Sequence, residues 1–334
     1  MNTELLARTL GKPWHYLLNR IEQPALVLIY HRVCELDLDP QQLAVRPEHF
    51  AQQLDYLAQT CRPQQVEAFS RTLQERRKFP PRSVLITFDD GYADNAQQAL
   101  PLLEARQMQA LFYISTGKLD TLQELWWDEL ERLLLGPQTK PSSLSYQWKG
   151  SPQRVDTSTE KKVWDLYFSL QHQLRFAHPD EIDSVLDQLR LWSALPKEGR
   201  ESHRMMNLEE LNLMAASPAA VLGCHTHRHP ALGMLNLQEQ RSEMLESRTR
   251  LEALLKRPVT HFSYPFGSRK RWGRERYYTA ETQRLCRELG FEMVCANYYG
   301  QVHSWTNRMA LPRILVRDWD GEEFARRLET FFNA

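Results

Sequence analysis

A chain of 334 residues has room for one large domain or two smaller ones. Its 42 Lys and Arg balance 42 Asp and Glu, so no net charge draws it toward nucleic acid or an anionic membrane, and 42% apolar with 25% charged residues is the make-up of a globular protein. Five cysteines, an odd number without a CxxC pair, argue for reduced thiols rather than a disulfide framework.

Residues 1–24 read as a short amphipathic helix and a linker ending at Pro24. They carry no sustained apolar run of the kind a secretory signal needs, and no stretch reaches the length of a membrane span. A cytoplasmic location without a membrane span is therefore expected. Ala25 to Tyr30 is a first apolar strand with His31 at its end. Pro47 opens a helix with Phe50, Leu54 and Leu57 on one face. After Pro80-Pro81, the β-branched run Val84 to Phe88 reads as a buried strand, and it ends in Asp89-Asp90-Gly91. Asp94 to Gln107 is helical, interrupted at Pro101, and Ala110 to Ile114 is the next strand. This β-α-β alternation indicates a parallel sheet with helices outside it.

Residues 120–203 break the pattern, with few strand signals and several helical ones. One helix starts near Ser158 and Glu160, and another at Pro179-Asp180-Glu181, carrying Ile182, Val185, Leu186 and Leu189. The segment is expected to be a mainly helical insertion, a lid or cap, with Gly136 to Thr157 as a loop. The α/β body is then 25–119 with 204–334. In its second part, Asn207 with Glu210 and Asn236 with Glu239 are capping boxes, the latter opening a helix to about Lys256. Between them a short strand, Ala220 to Gly223, leads into Cys224-His225-Thr226-His227-Arg228-His229. His261 to Pro265, Phe291 to Ala296 and Leu311 to Val316 are later strands, and Asp320 caps a last helix.

Two stretches carry chemistry. Adjacent acids at the end of a buried strand cost desolvation and repel each other, and a cation beside them removes that cost. Neighbours on an extended chain point opposite ways, so Asp89 and Asp90 are free to take different tasks. His225 and His229 have i, i+4 spacing and share a face if the segment coils, although spacing alone leaves the pair His227 and His229 open. One carboxylate with two imidazoles is a ligand set that leaves a position open, as in catalytic zinc sites.

Thr87-Phe88-Asp89-Asp90-Gly91 followed by His225-Thr226-x-x-His229 resembles the polysaccharide deacetylases, the NodB-homology or carbohydrate esterase family 4 group. Leu28 to Val33, Trp126 to Leu130 and Phe262 to Gly267 look similar to one branch of it. The resemblance implies a distorted (β/α) barrel with the helical insertion placed on it. It implies one divalent metal, zinc first, with nickel, cobalt or manganese as alternatives, held by Asp90, His225 and His229. Asp89 is then the general base that lets a metal-activated water attack the amide of an N-acetyl or N-formyl amino sugar in polysaccharide or glycoconjugate assembly. His31 falls near the active site on the substrate side. Tyr264-Pro265-Phe266-Gly267 is expected to form a wall of the substrate groove. Trp127 either stacks on a sugar or belongs to the core of the insertion.

Two positions depart from the family pattern. Ser263 stands where many members have an arginine, and the usual late Leu-x-His, source of the general acid, is absent. His303, His31 or solvent is expected to supply that proton, and Arg313 to orient Asp89 in place of the missing arginine. The basic stretch Ser268 to Tyr278 is either a solvated loop or a phosphate seat for a nucleotide- or lipid-linked sugar. Alternatives are hydrolysis of a non-sugar amide or an O-acetyl ester, and a catalytically silent carbohydrate binder.

Overall fold

The computed structural model describes residues 22–267 and 275–333. Most of the expected N-terminal helix, and Arg269, Lys270, Arg271 and Arg274 of the basic stretch, lie outside the described residues. β1 (Leu26–Tyr30) leads into a short parallel pair, β2 (Arg32–Val33) with β3 (Ala44–Val45). β4 (Arg62–Pro63), β5 (Ser83–Phe88) and β6 (Ala110–Ile114) follow. After a hairpin, β7 (Ser143–Trp148) and β8 (Ser151–Asp156), the sheet resumes with β9 (Ala220–Cys224), β10 (His261–Ser263), β11 (Met293–Cys295) and β12 (Ile314–Leu315).

The main sheet runs β11-β10-β9-β6-β5-β1-β12, with β4 added to the start of β5, and every pairing in it is parallel. A parallel bridge from Leu311 to Cys295 brings the approach to β12 back onto β11, so the sheet curls into a distorted (β/α) barrel. Tyr113 on β6 donates to Cys295 Sγ on β11 at 3.2 Å; these strands are not neighbours, so the bond crosses the inside. Val27, Leu85, Leu111, Tyr113, Met293, Cys295 and Leu311 fill that interior, and Val66, Phe69, Leu73 and Phe79 join the same cluster. The alternate residues, among them Leu28, Tyr30, Ile86, Phe88 and Phe112, face outward onto Phe50, Leu54 and Leu57 of the Pro47–Thr60 helix.

The expected break at Pro101 takes a specific form. Asn95–Ala99 is wound as a π-helix before the Leu100–Glu104 helix, which begins with the proline in its first turn. A proline there donates no amide to the preceding turn, and the wider π turn avoids the clash of its ring.

Between β6 and β9, the helices Trp126–Leu135, Glu160–Leu174 and Pro179–Ser193 share a core of Leu130, Leu134, Tyr167, Leu170, Leu186 and Leu189. Tyr92 and Met205 from the barrel belong to the same core, which seats this unit on the C-terminal ends of the strands. The stretch expected to be a loop is instead the β7–β8 hairpin, with six registered pairs. Alternation of Leu144 and Tyr146 inward against exposed Ser143 and Ser145 drives it, and Lys149 (φ 50°) with Gly150 (φ 76°) makes the two-residue turn.

Candidate active site

Parallel strands deliver their C-terminal ends to one mouth, and the side-chain period of two decides what enters it. Along β5, Leu85 and Thr87 point inward, so Asp89 does too. Asp89 N donates to Tyr30 O on β1 at 3.0 Å, and Ser115 N donates to Asp90 O at 3.0 Å. These bonds fix the two acids between β1 and β6. The chain then turns sharply, with Asp90 at φ 76° and Gly91 at φ 92°. A Cβ at Gly91 would also meet Ile114 at 3.1 Å, so both conformation and space call for glycine here.

His225 follows β9, its amide bonded to Ile114 O at 2.9 Å. Its Nδ1 lies 2.8 Å from Ser263 O. A carbonyl only accepts, so Nδ1 carries the proton and Nε2 keeps its lone pair for the mouth. His229 reaches the same point after a tight turn in which its amide donates to Thr226 Oγ1 at 3.0 Å. Trp127 and Phe266 hold the His229 ring between centroids at 4.7 and 4.6 Å. Asp90, Thr226, His229 and Phe266 all have positive φ, between 58° and 76°. Such non-glycine conformations cost of order 1–2 kcal/mol each and collect where function demands them.

His225 Nε2 and His229 Nε2 are 3.1 Å apart, and each lies 3.4 Å from Asp90 Oδ1. Ligands about 2.0–2.1 Å from a tetrahedral zinc stand roughly 3.3 Å from one another, so this trio fits the ion without rearrangement. All three residues are at most 4% exposed. Burial alone raises the Asp90 pKa, but its bonds with the two imidazoles override this and hold it far below the carboxylate range. No described Lys or Arg pairs with Asp90; its ion-pair partners are the two histidines. The donor set therefore suits a divalent cation.

Asp89 is arranged differently. Arg313 crosses the barrel and grips both of its oxygens, Nη1 to Oδ1 at 2.7 Å and Nη2 to Oδ2 at 2.6 Å. The same guanidinium bonds Thr87 Oγ1 at 3.2 Å, Ser263 Oγ at 2.8 Å and Ala296 O at 3.1 Å. Burial works against ionisation of Asp89, yet the Arg313 charge overrides it and keeps the carboxylate ionised. Ser263, small where a longer side chain is common, leaves room for a guanidinium arriving from the β12 side.

A cleft of about 350 Å³ opens above these groups, lined by His31, both acids, both histidines, Trp127, Phe266, Gly267, Tyr277 and Asn297. A model of the polysaccharide deacetylases matches residues 76–163 and 199–294, more than half of the chain. The chain belongs to the polysaccharide deacetylase family. Outside the family model, it is 33% identical over 101 residues to YxkH of Bacillus subtilis, whose name places it in the same family; that match spans 28% of this chain and 34% of YxkH. Among solved structures, IcaB from Ammonifex degensii aligns with a TM-score of 0.57 at 20% identity over 93% of this chain and 98% of its own. The Streptococcus pyogenes deacetylase PplD, solved with acetate, gives 0.57 at 17% identity over 92% and 98%. These structural likenesses support the fold.

Within this member of the family, several expected residues come together and others do not. Asp89, Asp90, His225, His229, Arg313 and His31 converge; His227 does not, its Nδ1 lying 3.0 Å from Thr116 Oγ1 away from the cleft. His303 is at the opposite mouth. Its neighbour Val302 pairs with Ala25, six residues before His31, and at about 3.3 Å per residue the strand puts it roughly 20 Å away. It stacks on Trp305 at 4.7 Å and does not line the cleft. Tyr264 does not line the cleft either: Ser263 points inward, so Tyr264 points outward, stacked on Tyr278 at 4.0 Å with its hydroxyl on Met309 O at 3.0 Å. Pro265 is buried behind the turn, while Phe266 and Gly267 do form the wall. Trp127 is 4% exposed and donates to Tyr92 Oη at 2.8 Å, so it braces His229 and shows the cleft only an edge. Arg175 and Arg317, which the motifs did not mark, also line the cleft. The signal for Arg175 was present as a helical stripe, Phe168, Gln171 and Arg175 at i, i+3 and i+7.

Proposed function

We propose that the chain is a metal-dependent hydrolase that removes an N-acetyl or N-formyl group from an amino sugar. The observation that carries this is the division of labour between neighbours: Asp90 joins two imidazole nitrogens at 3.4 Å, while Asp89 is held by Arg313 at 2.6 and 2.7 Å. Asp90, His225 and His229 would hold the cation, zinc being the best match to two nitrogens and an oxygen. When bound, such an ion lowers the pKa of a water and stabilises negative charge developing on the acyl oxygen. Asp89 accepts the proton of the attacking water; Arg313 keeps that carboxylate ionised and aimed into the mouth. His31, the one cleft imidazole outside the ligand set, delivers a proton to the departing nitrogen. Burial lowers its pKa against the opposing charges of Asp90 and Asp89, so the ring rests neutral and would pass on to the nitrogen the proton that Asp89 has taken from the water. Asn95 Nδ2 donates to His31 O at 2.9 Å and holds that strand end in place. Phe266 and Gly267 form the wall along which the sugar lies.

Elemental analysis of the purified protein, combined with acetate and formate release from a panel of N-acylated amino sugars, tests the reading. About one metal per chain with acyl release that Asp89→Asn abolishes supports it. Metal binding with no release that Asp89→Asn alters removes the hydrolase and leaves a sugar-binding relic.

A further inference from the structure

The Glu160–Leu174 helix and its cap turn one stripe to the cleft, Phe168, Gln171 and Arg175. Facing it is the segment after β3's partner strand, where Arg317 donates through Nη1 to Gln41 O at 2.8 Å and also to Gln42 O. Gln171 Nε2 in turn donates to Gln41 Oε1 at 3.0 Å, so the main chain and side chain of one residue tie the walls together. Arg175 and Arg317 thereby face the same cavity from opposite sides.

Neither guanidinium forms an ion pair with a described carboxylate. The buried arginines do: Arg32 with Asp94 at 2.9 Å, Arg132 with Glu124 at 2.8 Å, Arg204 with Glu210 at 2.6 Å, Arg313 with Asp89 at 2.6 Å. Arg175 lies 5.7 Å above the Phe266 ring, and its Nε is buried without a hydrogen-bond partner. Two partly buried guanidiniums without carboxylates, beside a centre suited to a divalent cation, leave the cleft with an excess of positive charge. Planar donors in pairs match the oxygens of a phosphate. Beyond them Phe168 is 53% exposed and stacks on Trp164 at 5.7 Å, giving the rim an apolar patch.

We propose that the substrate is a glycosyl phosphate, an N-acylated amino sugar whose phosphate is seated by Arg175 and Arg317. This rests on the deacylase reading for the sugar but not for the phosphate. The phosphate is recognised at the outer end of the cleft, while the acyl group reaches the metal ligands. The same chemistry is offered by a lipid-linked and by a nucleotide-linked sugar.

Calorimetric titration of the zinc-loaded full chain with N-acetylglucosamine 1-phosphate and with N-acetylglucosamine tests the seat without reading hydrolysis. The expected result is binding of the phosphorylated sugar at least about tenfold tighter than the neutral one, as one charge-assisted bond gives. Arg175→Gln and Arg317→Gln each lose most of that factor, the double variant loses all of it, and Arg→Lys restores part. Arg→Met serves at either position where the Gln variant fails to fold, as judged by its thermal midpoint. Equal affinity for both sugars, or no binding of the phosphorylated one, overturns the proposal. So does a preference that survives in the double variant, since the phosphate is then held by the metal centre. Uridine diphosphate N-acetylglucosamine and a polyprenyl phosphate N-acetylglucosamine separate the two sources, because Phe168→Ala weakens only the lipid-linked ligand. Acyl release without phosphate preference removes the seat alone; variant-sensitive phosphate binding without acyl release removes the deacylase reading alone.

Discussion

Two buried clusters in this molecule carry the same kinds of side chain and resolve them in opposite ways. Asp90, His225 and His229 lie at the barrel mouth; Asp128 and Glu131 of the Trp126–Leu135 helix meet His203 in the second cluster. In each, one atom per residue lies within 4.8 Å of the others. The second cluster is balanced from within the chain. Arg200 Nη1 bonds Glu131 at 2.7 Å, Tyr92 donates to Asp128 Oδ2 at 2.7 Å, and burial pushes the Asp128 pKa up to about 8, so the acid keeps its proton at neutral pH. Among the described residues, neither an arginine nor a hydroxyl bonds the Asp90 carboxylate. Similar ligand types therefore do not make similar sites: what separates them is whether the chain supplies its own counter-charge.

Removing ligands from the two clusters breaks this comparison most directly. His225→Ala with His229→Ala should bring bound metal to background and acyl release down by at least about ten-thousandfold. His203→Ala should leave the metal content of the purified protein unchanged. Metal lost equally from both variants would place the ion in the second cluster or in neither.

The next largest effect separates Asp89 from Asp90. Asp89→Asn should retain metal and lose about a hundred- to a thousandfold in kcat, the usual worth of a general base. Arg313→Ala should lower kcat too and cost about 3–5 kcal/mol of unfolding free energy, because it strands a buried carboxylate. Urea unfolding should show both midpoints shifted downward, because Asp89→Asn in turn leaves the buried Arg313 guanidinium without its carboxylate.

These expectations also show where sequence reasoning reached and where it stopped. The convergence of Asp89 and Asp90 with His225 and His229 was legible because each pair is close in sequence and the two motifs together are specific. The parallel sheet was legible from alternating strands and helices and the barrel from the family resemblance, and the capping boxes at Asn207 and Asn236 are both present. The hairpin at Ser143–Asp156 was missed because its period-2 pattern is only two inward residues deep, Leu144 and Tyr146, in a polar stretch. Tyr264 was misplaced through parity: one residue along a strand separates the cleft from the outer core. His303 was misplaced because sequence order does not tell which end of the barrel a loop serves. The partnership of Arg313 with Asp89 was readable only as a missing arginine looking for a substitute. Arg175 and Arg317 needed two walls of the cleft to be assembled before their shared position meant anything.

Smaller effects sharpen the account of the second cluster. Glu131→Ala removes one of two carboxylate partners of Arg200, Glu124 remaining at 2.7 Å, and should cost about 1 kcal/mol, discounted because that arginine is a third exposed. The pH dependence has a definite sign. Asp128 has a folded pKa near 8, above its unfolded value of about 3.9, so the folded state holds the proton more tightly. Its contribution to stability is full below about pH 4 and is lost as pH rises toward 8, at up to about 1.4 kcal/mol per pH unit. Asp128→Asn should flatten that fall, so the variant gains on the wild type between pH 5 and pH 7.5 in urea unfolding. Parallel profiles would mean that Asp128 is ionised in the folded state, balanced by Arg32.

Tyr92 joins the two clusters. Its hydroxyl donates to Asp128 and accepts from Trp127 Nε1 at 2.8 Å, and Trp127 packs against the ring of His229. Tyr92→Phe removes both bonds while keeping the ring under the Arg32 guanidinium, whose Cζ lies 4.4 Å from the ring centroid. Two buried partners lose a hydrogen bond, and a loss of about 1–2 kcal/mol in stability follows. The metal should stay, because none of its ligands is touched. If the second cluster serves to fix Trp127, and through it His229, kcat should fall by a few-fold with KM little changed, and Trp127→Phe should reproduce that fall without adding to it in the double variant. Additive losses would instead make the two clusters independent neighbours, with Trp127 held by the packing of the insertion alone.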